Sequence, residues 1–165
     1  MWTSEAMEKL GKAYFLRNKA WYTGTDPDGP EAEADDCPIG YKLTDKAPEE
    51  AVVSYNHCFD ISPDGKDFIP YFMTNRTWFG IDRERVAKNE GGVFYLKDAA
   101  PPEAMWSYRN YYNGCYVDEH LISYFMLDES WYERDEEGNY KLTGKAPYLA
   151  KASFVDFMHP VSISF

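Results

Sequence analysis

The chain has 165 residues, of which 44 % are hydrophobic and 18 % aromatic, and its formal net charge at pH 7 is −11. This hydrophobic and aromatic content excludes a disordered chain, and the excess of carboxylates disfavours direct binding to nucleic acid, which relies on clustered Lys and Arg. No apolar run reaches the ~20 residues of a membrane-spanning helix, and the first residues lack the pattern of a secretory signal. The sequence therefore predicts a cytoplasmic protein.

The predicted elements begin with a short N-terminal helix, which Thr3 or Ser4 can cap and which ends at Leu10. An aromatic block follows it and recurs twice further along the chain. Each copy contains Tyr-Phe, a polar centre, and Trp followed by another aromatic residue; the copies are Tyr14–Tyr22, Tyr71–Phe79 and Tyr124–Tyr132. The aromatic residues favour β structure for this block.

A second block follows each aromatic block, and its copies are Tyr41–Pro48, Phe94–Pro101 and Tyr140–Pro147. The residues before the proline predict a short strand. The proline predicts the start of a helix, because its φ is already set and the first helical position needs no amide hydrogen. Each predicted helix then repeats Ala at +3, Ser at +6 and an aromatic residue at +7, namely Ala51, Ser54, Tyr55; Ala104, Ser107, Tyr108; Ala150, Ser153 and Phe154.

Together the blocks predict an α+β fold, a single domain over residues 1–165 made of three degenerate ββα repeats whose short antiparallel strands are covered by helices. The repeats span about residues 12–60, 69–113 and 122–159 and are called the first, second and third units. Counted from each Ala, apolar positions 0, +4, +7 and +8 predict the buried face of the helix. Val161–Phe165 alternates apolar and polar residues and predicts a closing strand. Linear stacking and closure around an axis both fit this pattern.

Two of the three loops between the blocks are strongly acidic. Their acidic residues are Asp26, Asp28, Glu31, Glu33, Asp35 and Asp36 in the first unit, and Asp128, Glu129, Glu133, Asp135, Glu136 and Glu137 in the third. In the middle unit Asp82, Glu84 and Glu90 are offset by Arg83, Arg85 and Lys88. Acidic loops can serve solubility alone, and they can also engage a basic protein surface by imitating phosphate spacing.

Trp106 and Arg109 lie outside the shared apolar face of their predicted helix. Exposed aromatic and Arg side chains are favoured contacts in protein interfaces. The sequence therefore predicts that these two residues are exposed and contact a partner, in addition to the acidic loops.

Catalytic and metal-binding signatures are weak. The recurring serines lack the G-x-S-x-G pattern of a nucleophile elbow, the three cysteines have no CxxC spacing, and the Asp26–Glu31 segment places its glycine too early for an EF-hand. Neither a Cys115–His120 pair nor a Cys58–His159 pair has a supporting local motif. The sequence therefore predicts no catalytic residue, metal or cofactor.

The leading hypothesis is a non-enzymatic acidic module that binds a protein with a basic surface, as an inhibitor of a nucleic-acid-binding protein. An anti-defence role of the kind carried by phages and mobile elements is suggested by analogy alone. One alternative is a receptor or sequestering protein for a small ligand, with an aromatic pocket between repeats. The other is an enzyme whose site is assembled from His120, Cys115 and Asp118.

Overall fold

A computed structural model describes residues 12–24, 41–114 and 117–163, and these contain short antiparallel strands and helices. The predicted α+β class is confirmed. The predicted N-terminal helix lies outside the described residues. The elements in chain order are β1 (Tyr22–Thr23), β2 (Lys42–Leu43), α1 (Glu49–Cys58), β3 (Phe79–Ile81), α2 (Arg83–Ala87), β4 (Phe94–Leu96), α3 (Pro102–Asn113), β5 (Tyr132–Arg134), β6 (Tyr140–Leu142) and α4 (Tyr148–Met158).

The strands form three separate two-stranded antiparallel sheets, β1 with β2, β3 with β4 and β5 with β6. In each sheet the aromatic residue after the Trp faces the Leu of the second block. The facing pairs are Tyr22 and Leu43, Phe79 and Leu96, and Tyr132 and Leu142. The register is therefore the same in all three sheets.

The first half of each aromatic block is not a strand, so the β prediction was wrong there. Tyr14–Arg17, Tyr71–Thr74 and Tyr124–Leu127 are 3₁₀ turns. The polar centre ends each turn, because its side chain accepts the amide hydrogen two residues further on, as Asn18 does from Ala20 at 2.9 Å and Asp128 from Ser130 at 2.8 Å. Such local side-chain bonds compete with strand pairing.

The long helices begin where the prolines predicted. Pro48, Pro101 and Pro147 are the N-caps, one residue before the first helical residue. The carbonyl oxygen of Pro48 accepts the amides of Ala51 and Val52 at 3.0 and 3.1 Å. The proline therefore stands just outside each helix instead of inside its first turn.

The recurring serines attach each helix to the 3₁₀ turn of its own unit. Each serine Oγ accepts a backbone amide hydrogen from the Phe of the Tyr-Phe pair; the pairs are Phe15 to Ser54 at 3.2 Å, Phe72 to Ser107 at 3.1 Å and Phe125 to Ser153 at 3.3 Å. Each of these Phe rings also meets the aromatic residue after the serine edge to face, with 5.2 Å between ring centroids. Helix and turn are thus held together by one hydrogen bond and one ring contact.

Among the described residues the apolar core forms two clusters. The first contains Phe15, Ala51 and Phe59 of the first unit together with Trp106 from α3. The second contains Phe72, Phe79 and Phe94 with other residues of the second unit, and Ala152 and Val155 from α4. Helix α3 therefore contributes to the cores of both the first and the second unit.

The segments that link the units also contact each other. Phe68 and Leu121 form a parallel bridge, with the Phe68 amide donating to His120 at 3.2 Å and the Ile122 amide donating to Phe68 at 2.8 Å. Each of the two bridged residues lies three positions before the Tyr of its aromatic block. Corresponding points of the two linkers are thus adjacent and run in the same direction.

The described part of the predicted closing strand, residues 161–163, is not a strand. The Asn113 side chain donates a hydrogen bond to the Ile163 carbonyl oxygen and accepts one from the Ile163 amide, so this backbone is already paired. Residues 164–165 lie outside the described part of the chain. The predicted apolar face of α4 is also wrong at its end, since Phe157 and Met158 are 41 % and 47 % exposed. The next long helix, α3, packs against α1, but no described helix follows α4 in the chain. The last turn of α4 therefore remains exposed.

Candidate functional site

The β5–β6 hairpin carries the described half of the predicted acidic surface. Its turn is shaped by Asp135, whose Oδ1 accepts the amides of Glu137 and Asn139 at 2.9 and 2.8 Å. Gly138 completes the turn at a φ of 87°, a conformation that favours glycine. The hairpin is therefore ordered by its own acidic residue.

The six predicted acidic residues lie in this hairpin and in the turn that leads into it, and they have two different roles. Asp128 and Asp135 accept local hydrogen bonds, and these lower the pKa of both carboxyls, the Ser130 side chain acting on Asp128 and the Asn139 amide on Asp135. The other four, Glu129, Glu133, Glu136 and Glu137, are exposed and form no ion pair within the described ranges, and Glu137 accepts one long hydrogen bond of 3.5 Å from the Asn139 side chain. Four exposed carboxylates can thus meet a partner.

Basic residues close to the hairpin do not pair with these carboxylates. The Arg134 guanidinium lies 4.7 Å from the Tyr140 ring centroid, and its Nη2 is 3.5 Å from the Gly138 oxygen. Lys141 faces Glu133 across the two strands without forming an ion pair. Lys145 is close enough for its charge to help lower the pKa of Asp128. Residues 128–145 nevertheless carry six carboxylates against three basic side chains, Arg134, Lys141 and Lys145, so the net charge of this region is negative.

The other two loops differ from this hairpin. The acidic residues of the first unit, Asp26, Asp28, Glu31, Glu33, Asp35 and Asp36, lie outside the described residues. In the middle unit the charges pair locally, with Lys88 Nζ 2.8 Å from Glu84 Oε1 and Arg85 Nε 3.7 Å from Asp82 Oδ2. The middle loop also packs on the third unit, where Arg83 lies 4.3 Å from the Tyr148 ring centroid.

The prediction that Trp106 and Arg109 are exposed was wrong. Trp106 is 1 % and Arg109 2 % exposed. The Trp106 ring packs against Phe59 and Tyr41 of the first unit, with centroid distances of 6.0 and 6.4 Å. Trp106 lies outside the face that α3 turns to its own unit because it belongs to a second buried face, directed at the first unit.

The serines have acidic neighbours that the sequence did not reveal. Ser107 donates to Asp60 Oδ1 at 2.8 Å, and the same Oδ1 accepts the Tyr71 amide at 2.8 Å. In the first unit Glu103 Oε1 likewise accepts Ser54 Oγ at 3.1 Å and the Tyr14 amide at 2.9 Å. Each carboxyl comes from a different unit than the serine, so no local pattern could have identified the pair.

These serine and carboxyl groups connect the units and do not resemble a nucleophile with its base. Each serine oxygen already accepts a backbone amide and lies in the core. Asp60 is 1 % exposed, and burial raises its pKa to about 8. A neutral carboxyl at this depth is a poor general base at neutral pH, because a base must accept a proton.

The residues of the enzymatic alternative have structural roles or lie outside the described residues. Asp118 accepts the His120 amide and the Ser62 amide, both at 2.7 Å. The His120 Nδ1 lies 3.7 Å from Asp67 Oδ1, and Cys115 is not among the described residues. Cys58 is fully buried, and burial raises the pKa of its thiol well above the usual value. A thiol in that state is unreactive.

In the described ranges no group of three or more His, Cys, Asp or Glu side chains is arranged to hold a metal ion. None of the helices among these residues is long and apolar enough to span a bilayer. Comparison with known proteins gives no match to a family model, a curated protein or a solved structure.

Proposed function

We propose that this protein is a non-enzymatic, cytoplasmic binding module that presents acidic hairpins to a protein with a basic, nucleic-acid-binding surface. The observation that carries the proposal is the β5–β6 hairpin with the turn that leads into it. There Glu129, Glu133, Glu136 and Glu137 are exposed and form no ion pair with the described residues, while Asp128 and Asp135 fix the backbone. Ordered carboxylates on a rigid turn lose less entropy on binding than carboxylates on a flexible tail.

The proposal includes a chain built of three degenerate ββα repeats within one domain. The common sheet register and the common bond from Phe amide to Ser hydroxyl support this description. If the chain is built of such repeats, the acidic loop of the first unit corresponds in position to the β5–β6 hairpin. The two acidic loops would then form a pair of anionic patches on one protein.

Inhibition follows from the same electrostatics. A basic groove that binds nucleic acid is attracted to any surface with closely spaced negative charges, and such attraction speeds association and weakens with salt. An acidic module seated in that groove excludes the nucleic acid. An anti-defence inhibitor carried by a phage or mobile element would act in this way, and that part of the proposal is an analogy.

The test is an affinity capture from host lysate at about 50 mM and about 500 mM salt, between which the screening length falls severalfold. We expect the wild-type protein to retain a basic partner at low salt and to release it at high salt or on addition of DNA or RNA. The variant with Glu129, Glu133, Glu136 and Glu137 replaced by Gln should capture severalfold less, while Asp128 and Asp135 remain to hold the turns.

A matched variant controls for net charge. Replacing Asp45, Glu90, Asp98 and Glu119, which are exposed elsewhere, by their amides removes the same number of charges. It should capture the partner nearly as well as the wild type. Equal capture by the hairpin variant and the wild type, or no salt-sensitive basic partner at either concentration, would contradict the proposal.

A further inference from the structure

A cleft with a volume of about 430 Å³ lies between the end of α1 and the second 3₁₀ turn, where the first and second units meet. Its size is that of a small-molecule site, which typically measures roughly 300–1,000 Å³. Ile61, Pro63, Phe68 and Ile69 form the apolar part of its lining. The cleft is separate from the acidic hairpin and does not depend on its proposed function.

One wall of the cleft is a stacked pair of rings. His57 lies parallel to Tyr71, with 3.8 Å between the centroids and 7° between the planes. Burial lowers the pKa of His57 more than the nearby charge of Glu103 raises it. The imidazole is therefore neutral at neutral pH, and its ring nitrogens make no hydrogen bond to the described residues. The flat, neutral face of this ring pair suits an aromatic stem.

The charged groups at the cleft are acidic. Asp64 lines it, and its pKa is lowered by the Ser62 hydroxyl and the Lys66 amide, so the carboxylate is ionised. Asp118 adjoins the cleft, because it accepts the amide hydrogen of Ser62. Burial raises the pKa of Asp118, but the hydrogen bonds from the His120 and Ser62 amides have the larger combined effect, so the pKa is lowered overall. Lys66 is the one basic residue in the segment 60–70. The local potential is thus negative.

A buried carboxyl, Asp60, also belongs to the lining. Its Oδ1 accepts Tyr71 and Ser107, whereas its Oδ2 has only the more distant contact with Ser107 at 3.1 Å. Asp60 is 1 % exposed, and its raised pKa of about 8 leaves most of it neutral at neutral pH. It is therefore a hydrogen-bonded part of the cleft wall and not the anion that would meet a cation.

We propose that this cleft binds a small organic cation, an ammonium group on an apolar or aromatic stem. The stem would lie against His57 and the apolar residues, and the ammonium would meet the carboxylate of Asp64. A free amine is favoured over the side chain of a protein partner, because a cleft of this volume offers far less area than the roughly 800 Å² per partner of a specific protein interface.

The experiment uses three probes that share one stem and differ in charge. These are 2-phenylethylamine, 2-phenylethanol and 3-phenylpropionate, each titrated at millimolar concentration into the ¹⁵N-labelled full-length protein while amide shifts are recorded. We expect the amine to shift the amide signals of Ile61, Ile69 and Tyr71. It should bind roughly tenfold more tightly than the alcohol, as one charge-assisted contact predicts. The carboxylate should not bind.

Two variants locate the site. Asp64→Asn keeps the hydrogen-bond acceptor and removes the charge, so it should weaken amine binding severalfold and reduce the preference for amine over alcohol. His57→Ala should weaken the amine and the alcohol alike. Asp98→Asn, an exposed substitution outside the cleft lining, is the matched control and should leave binding unchanged.

Two outcomes would overturn the proposal. Equal affinity for amine and alcohol would refute the preference for a cation. Amide shifts confined to residues away from the cleft, or no shift with any probe while the spectrum remains that of a folded protein, would refute the cleft as the site. Neither outcome bears on the hairpin, because none of these variants changes residues 128–137.

Discussion

At the residue scale, Asp60 shows how a single acid can serve a junction between units. It follows the C-cap of α1 with a φ of 50°, a left-handed conformation that Asp and Asn tolerate better than most residues. This turn places its side chain beneath the second unit, where it accepts the Tyr71 amide and the Ser107 hydroxyl. The carboxyl is thereby held in the core.

Burial of Asp60 predicts a definite pH dependence of stability. Its pKa rises from an ordinary 3.8 to about 8 on folding, so the folded state binds more protons than the unfolded state between these values. The free energy of unfolding should therefore fall as the pH rises from about 4 to about 8, by an amount on the order of a few kcal/mol.

The measurement is urea unfolding of the wild type and of Asp60→Asn across this pH range. The Asn variant keeps the acceptor for Tyr71 and cannot ionise, so the difference in unfolding free energy between the two proteins isolates Asp60 from the other titrating groups around it, His57, Cys58 and Tyr71. The wild type should lose stability relative to the variant as the pH rises. A difference that is constant with pH would contradict the raised pKa.

At the element scale, the serine of each long helix is the residue that fixes the helix to its turn. All three serines accept a Phe amide, and Ser54 and Ser107 also donate to a carboxyl from another unit. Ser153 has no such acceptor in the part of the chain that the structure describes. The serine thus makes two hydrogen bonds in α1 and α3 and one in α4, which allows the contribution of the second bond to be compared within one protein.

This comparison predicts unequal costs for the same substitution. Ser54→Ala and Ser107→Ala should each lower the free energy of unfolding by roughly 1–3 kcal/mol. Each leaves a buried amide unpaired and removes a donor from a carboxyl, which is half-buried in Glu103 and buried in Asp60. Ser153→Ala should cost less, because only the Phe125 amide loses its partner. Chemical denaturation of the three variants checks the order, and equal losses would show that the carboxyl contacts contribute nothing.

At the scale of the whole molecule, α3 connects the two core clusters. Its Ala104, Tyr108 and Tyr112 belong to the core of the second unit, while Trp106 belongs to that of the first. Glu103, near the start of the same helix, binds Ser54 and the Tyr14 amide. Two opposite sides of one helix are thus buried, and the first unit is attached through α3.

Trp106→Ala should consequently destabilise the first unit more than the rest. Removing a large buried ring typically costs about 3–5 kcal/mol, and hydrogen exchange should accelerate most in α1. Trp131→Ala is the control, since Trp131 is only partly buried and stacks on Tyr124 in the third unit. Equal acceleration in α1 and α4 on removal of Trp106 would contradict a local role.

The sequence by itself was enough to predict the α+β class, the positions of α1, α3 and α4 and the strand before each. These features depend on local chemistry: proline at a helix start, alternating or helical spacing of apolar residues, and a serine and an aromatic residue at fixed offsets. The 3₁₀ turns were not predicted, because an Asn or Asp side chain that bonds two residues ahead outweighed the strand preference of the aromatic residues around it.

Only the tertiary structure revealed the buried Trp106 and Arg109, the carboxyl partners Asp60 and Glu103, and the cleft beside His57. Each of them depends on which surface of one unit meets another. Helical spacing indicates the face that a helix turns to its own strands, but a second buried face looks like an exposed one until the neighbouring unit is in place. Packing between units is decided by three-dimensional contact, and no repeating offset along the chain encodes it.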